Sequence, residues 1–272
     1  MKDEACIHFL QWALPHLHLH WPGFRKVRKQ VCKRIAGRLA ELRLVDIRAY
    51  QEYCQYHKPE WQILDRLCRI TISRFYRDRK VFDCLGAEVM PALVRTATET
   101  GDKTIRCWSA GCASGEEAYT LALLWNFIVQ DKFPGMDIRI VATDTDPVVL
   151  KRAGRACYPP SSLKEMPASW FVSAFRQREG EYCLSDRIAK KAIFIAQDIR
   201  ESAPDGLFHL VLCRNLAFTY FDMGLRQRVM ERIANSLVQG GALVVGTHES
   251  LPTGAKDFSP WLADAPIFRK NG

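Results

Sequence analysis

The residues best suited to chemistry stand in one run, Trp108-Ser109-Ala110-Gly111-Cys112-Ala113-Ser114-Gly115-Glu116-Glu117-Ala118-Tyr119-Thr120. It passes from a short apolar stretch through a turn of small residues into a helical pattern. Gly111 and Gly115 carry no Cβ and let backbone come close to a ligand. Ser114 can cap the helix, and Glu116 and Glu117 fall in its first turn, where the macrodipole favours acids. A second apolar run, 138–143, delivers Asp144 at its carboxyl end. In doubly wound α/β folds an acid at that place takes the hydroxyls of a ribose. No Lys follows the second Gly, so this is not a Walker-type phosphate loop. The G-x-G-x-x-G spacing of dinucleotide enzymes is missing, and Asp144 lies past the roughly 20-residue offset expected there. Acids at the helix start disfavour a pyrophosphate and suit an ammonium. Ribose, adenine and an amino-acid tail together describe S-adenosylmethionine better than NAD, although such a turn also occurs with no ligand.

The neighbouring elements position that run. Residues 192–196 read as a buried strand with Gln197-Asp198-Ile199 at its carboxyl end, and 207–213 as a strand ending in Arg214-Asn215. A helix over 226–237, a turn at Gly240-Gly241, a strand over 242–246 and a last strand at 267–269 follow. Strands alternating with helices imply a mostly parallel sheet, with ligands outside the strand carboxyl ends. Asp144, Asp198 and Asn215 all fall at such ends, which points to one shared site. Residues 157–192, with Pro159, Pro160, Pro167 and Gly180, read as an insertion holding a hairpin near 181–185.

The front of the chain, 1–90, is helical in pattern, and 91–272 carries the sheet. A helix over 4–14 is stopped by Pro15. Helices over 46–57, 60–72 and 81–93 follow, the last joining the two domains. His16, His18 and His20 alternate with leucines, but no carboxylate or cysteine stands near them in sequence, so they read as a solvated face and no metal site is expected. Over 24–44, Val27, Val31, Ile35, Leu39 and Leu42 recur at helical spacing, while Arg25, Lys26, Arg28, Lys29, Lys33, Arg34, Arg38 and Arg43 crowd the remainder. That basic face is either solvated or a docking surface for an acidic partner.

The 272 residues can bury a core and divide into two domains, and the net charge of +9 favours an anionic partner. No apolar run approaches the roughly 18 residues of a membrane span, and no secretory leader is visible at the start. Ten cysteines are scattered without a C-x-x-C pair. They read as buried thiols in a reducing cytoplasm, without disulfides.

Four blocks and a fifth, late segment, in order, resemble the bacterial chemoreceptor glutamate methyltransferases, the CheR family. Thr71-Ile72-Ser73-Arg74-Phe75-Tyr76-Arg77-Asp78 is similar to that family's N-x-T-x-F-F-R-[DE]. The run from Trp108 to Thr120 is similar to W-S-A-x-x-S-x-G-E-E-P-Y-S. Ala142-Thr143-Asp144-Thr145-Asp146 resembles A-T-D-I-D. Cys213-Arg214-Asn215 with Tyr220-Phe221-Asp222 resembles C-R-N-V-x-I-Y-F-D, and Gly246-Thr247-His248-Glu249 resembles a late G-H-S-E segment. The resemblance implies a helical amino-terminal domain before an α/β, Rossmann-like S-adenosylmethionine-dependent methyltransferase sheet with a small antiparallel insertion. It implies that Glu116 holds the cofactor's amino end and Asp144 its ribose, with Asp198 and Ile199 at the adenine. Gly111, Arg214 and Asn215 would line the pocket. Thr71, Ser73 and Arg77 would reach it from the amino-terminal domain, with Arg77 and Tyr220 nearest the transferred methyl and S-adenosylhomocysteine as product. The implied acceptor is an acidic helical region of a receptor, with the basic helix 24–44 as its expected docking surface; from the bulk composition the expected address is the cytoplasm, and a monomer is taken as the default.

Thr71 and Ser73 replace the family's Asn and Thr, Asp198 replaces an Asn, and one extra residue precedes Tyr220. Methylation of nucleic acid or a small molecule, and cofactor binding without turnover, remain as competing readings. The second of these takes its support from the altered spacing before Tyr220.

Overall fold

The computed structural model describes residues 3–272 and divides into two compact units, Met1–Ile70 with Thr219–Arg226, and Thr71–Phe218 with Gln227–Gly272. The first is helical: α1 (Asp3–His16), α2 (Trp21–Phe24), α3 (Arg28–Glu41), α4 (Ile47–Tyr56) and α5 (Glu60–Cys68). Pro15 sits in the last turn of α1 rather than stopping it. The basic stretch is not one helix, because the chain turns between α2 and α3. Val31, Ile35 and Leu39 of α3 are buried, as the periodicity requires. Asp46 caps α4 by accepting from the Ala49 amide at 2.9 Å. Buried Glu60 accepts from Arg38 at 2.9 and 2.8 Å and from the Tyr50 hydroxyl at 2.8 Å, so a buried charge is paired on both oxygens.

His16, His18 and His20 are exposed, as a solvated face requires, and the backbone between them is tied down. Leu19 bridges Phe221 in antiparallel fashion, the His20 amide donates to the Tyr220 carbonyl at 2.7 Å, and His18 Nδ1 lies 3.0 Å from Asp222 Oδ2. Burial, and then the charge of Arg226, hold the His20 imidazole below its ordinary pKa.

The second unit is built on a seven-stranded sheet: β1 (Thr104–Ala110), β2 (Asp137–Asp144), β6 (Ala192–Ala196), β7 (Phe208–Leu212), β8 (Leu237–Val244), β9 (Phe258–Pro260) and β10 (Ile267–Lys270). The order is β6-β2-β1-β7-β8-β10-β9, parallel from β6 to β8, with β10 and β9 antiparallel. Gly240 and Gly241 lie inside β8, not in a separate turn. The helices α6 (Arg79–Cys84), α7 (Met90–Glu99), α8 (Glu116–Leu124), α9 (Pro147–Arg155), α10 (Ala168–Ala174) and α11 (Asp186–Ala189) precede β7, and α12 (Ala217–Tyr220) and α13 (Met223–Ser236) follow it. A π-helical turn, Leu85–Val89, joins α6 to α7. Val81, Phe82, Leu85, Val89, Leu93 and Val94 share a core with Ile105, Ile140 and Leu210, which gathers 71–99 with the sheet.

Strand β6 is a correction to the sequence reading. Its apolar run suggested a buried strand, but it is the sheet's edge, with Ile193 47% and Ile195 39% exposed. Phe194 faces the other way and packs on Tyr119. The insertion is a three-stranded antiparallel sheet, β3 (Cys157–Tyr158), β4 (Phe175–Arg178) and β5 (Glu181–Leu184), in the order β3-β5-β4. Glu179 and Gly180 both take positive φ at the β4–β5 turn.

The cysteines correct a second expectation. Cys6 is bonded to Cys32, and Cys157 to Cys183, each 26 residues apart. One pair joins α1 to α3, and the other joins residues directly opposite on β3 and β5. The remaining six are free.

Candidate active site

The order of the sheet reverses at β1, which has β2 on one side and β7 on the other. Ligands of open α/β sheets bind beyond the strand carboxyl ends at such a point. Here those ends carry Gly111 after β1, Asp144 at the end of β2, Arg214 and Asn215 after β7, and Asp198 after β6.

The turn after β1 wraps around Asp144. The Gly111 and Cys112 amides donate to the Thr143 carbonyl at 2.8 and 2.9 Å. Asp144 Oδ2 accepts from the Ala113 amide at 2.9 Å and Oδ1 from the Asp146 amide at 3.0 Å. Both glycines have positive φ, +74° at Gly111 and +88° at Gly115. Their missing Cβ atoms make room for protein: a Cβ on Gly111 would lie 2.5 Å from Leu216, and one on Gly115 would lie 2.9 Å from Ala153 and Phe194.

Glu116 begins α8 and is 2% exposed. One of its oxygens, Oε2, has no partner among the described residues. Burial raises the pKa of its carboxyl, opposed by hydrogen bonds from its own amide and the Ser73 hydroxyl and by the charge of Arg152. Ser73 thus reaches Glu116, while Thr71 opens the same segment two residues earlier. Across the turn, the buried Tyr158 hydroxyl donates to the Ser114 carbonyl at 2.6 Å, tying the insertion to the loop.

Arg77 stands between two residues of left-handed backbone, Tyr76 at φ 58° and Asp78 at φ 64°. Its Nη1 donates to the Ile72 carbonyl at 3.0 Å. The Tyr76 amide donates to Thr120 Oγ1 of α8 at 3.1 Å, and its hydroxyl to Asp83 at 2.8 Å. Arg214, expected to line the pocket, is enclosed instead. Its Nη2 donates to Asp78 Oδ2 at 2.6 Å and to the Arg77 carbonyl at 3.0 Å, and its Nη1 to Glu117 Oε2 at 3.1 Å. Asn215, at φ 54°, donates its amide to Glu249 Oε2 at 2.8 Å, and the same oxygen accepts from the Gly246 amide.

Asp198 is paired with Arg200, whose Nη2 lies 2.8 Å from Asp198 Oδ2 and whose amide donates to Oδ1 at 2.8 Å. Ile199 is buried, and its carbonyl accepts from Arg232 at 2.7 Å. Tyr220 belongs to the first unit, where its ring lies 5.0 Å from that of Phe24. The residues that sequence reasoning left without a role are Asp78, Glu117, Glu249 and the Ala113 amide. All four stand inside the recognised blocks, where no local pattern names their partners.

Residues 71–265 match the family model described as CheR methyltransferase, SAM binding domain. The chain belongs to the CheR methyltransferase family. It is 30% identical over 205 residues to a chemotaxis protein methyltransferase of Listeria monocytogenes, covering 74% of this chain and 75% of that one. It is also 30% identical over 229 residues to an uncharacterised 104.1 kDa protein of Rhodobacter capsulatus, covering 84% of this chain but 24% of that protein. Among solved structures, the N-methyltransferase NodS of Bradyrhizobium japonicum is 14% identical, with a TM-score of 0.39, covering 72% of this chain and 97% of that one.

This CheR-family chain is a methyltransferase that uses S-adenosylmethionine, and its residues fit that cofactor. A buried acid with a raised pKa and an unpartnered oxygen gains most from a cation. Glu116 supplies that acid, close to the turn that embraces Asp144.

Proposed function

We propose that this chain transfers methyl groups from S-adenosylmethionine to glutamate carboxylates of a chemoreceptor-like protein. The observation that carries the reading is the buried, half-partnered Glu116 at the start of α8, beside the turn that holds Asp144. In this reading Glu116 takes the cofactor's ammonium and Asp144 its ribose hydroxyls. Asp198 and Ile199 lie at the adenine, while Gly111, Thr71, Ser73 and Asn215 shape the pocket. Bound S-adenosylmethionine supplies an electrophilic methyl group on a sulfonium.

A glutamate acceptor, with a reference pKa near 4.3, is ionised at neutral pH and needs no general base. Arg77 is the group assigned to the acceptor. An anion meets a cation and charge is lost in the transition state, so a strongly stabilising cation at the nucleophile would slow the step. Arg77 therefore orients the carboxylate, and the rate comes mainly from alignment in a cleft that excludes water. The relatives named as chemotaxis methyltransferases support a receptor as acceptor. The exposed cations of the first unit suit an acidic helical partner, and we place the protein in the cytoplasm as a monomer.

The test is incubation with methyl-labelled S-adenosylmethionine and receptor-bearing membranes, followed by mild alkali. Label released as methanol is the expected outcome and marks a carboxyl methyl ester. Alkali-stable label would move the acceptor to nitrogen or carbon and overturn the reading.

A further inference from the structure

We propose that Arg214 is a positioning residue that holds the Arg77 turn in place through Asp78, rather than a ligand of the cofactor. The proposal rests on the reading of Arg77 given above. Arg214 has a side chain only 3% exposed and lies between two carboxylates from different parts of the unit, Asp78 before α6 and Glu117 in the first turn of α8. It spends Nη2 on both Asp78 and the Arg77 carbonyl, and Nη1 on Glu117. Its guanidinium also lies over the Phe82 ring at 5.0 Å. Glu117 is fixed in turn by the Ser109 hydroxyl at 2.8 Å.

Two features make this a built arrangement. Tyr76 and Asp78 both hold left-handed backbone, which side chains with a Cβ resist, so the Arg77 turn must be held from outside. Arg214 bonds that turn twice, once at a side chain and once at the main chain. Asp78 also occupies the N-cap position of α6, where an Asp ordinarily accepts from its own helix. It makes no such cap bond, and its carboxylate goes to Arg214 instead. Because Glu117 is the neighbour of Glu116, the same guanidinium links the start of α8, where the cofactor's ammonium would sit, to the turn that carries Arg77. A planar fork with several fixed donors can make this three-way tie, and a lysine cannot reproduce it. The consequence falls on alignment, and hence on kcat, more than on affinity for the cofactor.

The experiment measures kcat and KM on receptor-bearing membranes, and S-adenosylhomocysteine affinity by calorimetry, for the wild type, Arg77→Ala, Asp78→Asn, Arg214→Met, Arg214→Lys and the Asp78→Asn/Arg214→Met double variant. Arg77→Ala is expected to lose about 100-fold in kcat, within what misplacement of a reacting group costs. Asp78→Asn and Arg214→Met should each lose at least about tenfold in kcat, and the double variant no more than the worse single, because one contact is removed twice. S-adenosylhomocysteine affinity should change by less than about threefold in all of them, and Arg214→Lys should recover only part of the rate.

A large loss of S-adenosylhomocysteine affinity in Arg214→Met but not in Asp78→Asn would make Arg214 a direct ligand and overturn the proposal. Additive losses in the double variant would do the same. If Arg214→Met does not fold, Asp78→Asn decides: wild-type kcat there, beside a crippled Arg77→Ala, sinks the idea. No transfer by the wild type, or full activity in Arg77→Ala, is a failure of the underlying reading, visible before any Arg214 variant is made, and it removes the proposal with it.

Discussion

Glu116 is a carboxylate placed where a helix begins and where water hardly reaches, and these two facts pull its proton in opposite directions. Burial favours the neutral form, while its own amide and Ser73 favour the charged one, and burial wins. Without cofactor, the folded chain therefore keeps this proton to a higher pH than an unfolded chain would. Stability from this group is lost as pH rises out of the ordinary carboxylate range towards the raised value. An ammonium pairs only with the ionised acid, so S-adenosylhomocysteine affinity should rise with pH across that interval and level off above it. Calorimetry at a series of pH values checks this, and Glu116→Gln should bind weakly at all of them with no slope. A slope that survives in Glu116→Gln would assign the titration to another group. The types of Glu116, Asp144 and Arg77 could be read from the sequence because each stands at a fixed place in a local pattern. The enclosure of Arg214 could not, since Asp78 and Glu117 are 136 and 97 residues away. Asp198 with Arg200 was within reach of a local reading, being only two residues apart, yet the pair emerged only with the coordinates.

At the scale of elements, hydrophobic periodicity gave the helices of the first unit and the alternation that builds the sheet, because each element buries one face against a neighbour. Periodicity fails where the decisive fact is who the neighbour is. An apolar run of five residues reads the same in a central strand and at an edge, so the exposure of Ile193 and Ile195 had no local sign. The histidine stretch likewise takes its conformation from Phe221, about 200 residues later. The disulfides are the sharpest case, since their partners meet only after α1 packs on α3 and β3 pairs with β5. Loop-closure entropy gives each bond roughly 3–4 kcal/mol for a loop of this size. Protein purified in air and denatured without reductant should expose six reactive thiols, and ten after reduction. Non-reducing peptide maps should join Cys6 to Cys32 and Cys157 to Cys183. Ten thiols without reductant would mean that both pairs are open, as a reducing compartment would leave them.

For the whole molecule, the excess of +9 is a long-range quantity, and how it is used depends on which cations are already spent. In the basic stretch, Arg28 is paired with Asp3, Arg38 with Glu60 and Glu41, and Arg34 donates to the carbonyls of Leu67 and Arg69. These three hold the helical unit together. Arg25, Lys26, Lys29, Lys33 and Arg43 remain exposed to solvent and keep a positive field on the surface of that unit. If an acidic receptor helix is the partner, this field speeds encounter, and salt weakens it because the Debye length shrinks to about 8 Å at physiological ionic strength. Replacing Lys29 and Lys33 together by Glu should raise KM for receptor-bearing membranes by about tenfold at low salt, with the difference narrowing as salt is added. S-adenosylhomocysteine affinity should stay as in the wild type, since Glu116 and Asp144 lie in the other unit. Methylation rates measured across a salt series decide the matter. An unchanged KM at low salt would take Lys29 and Lys33 out of the receptor surface and leave their charge a matter of solubility.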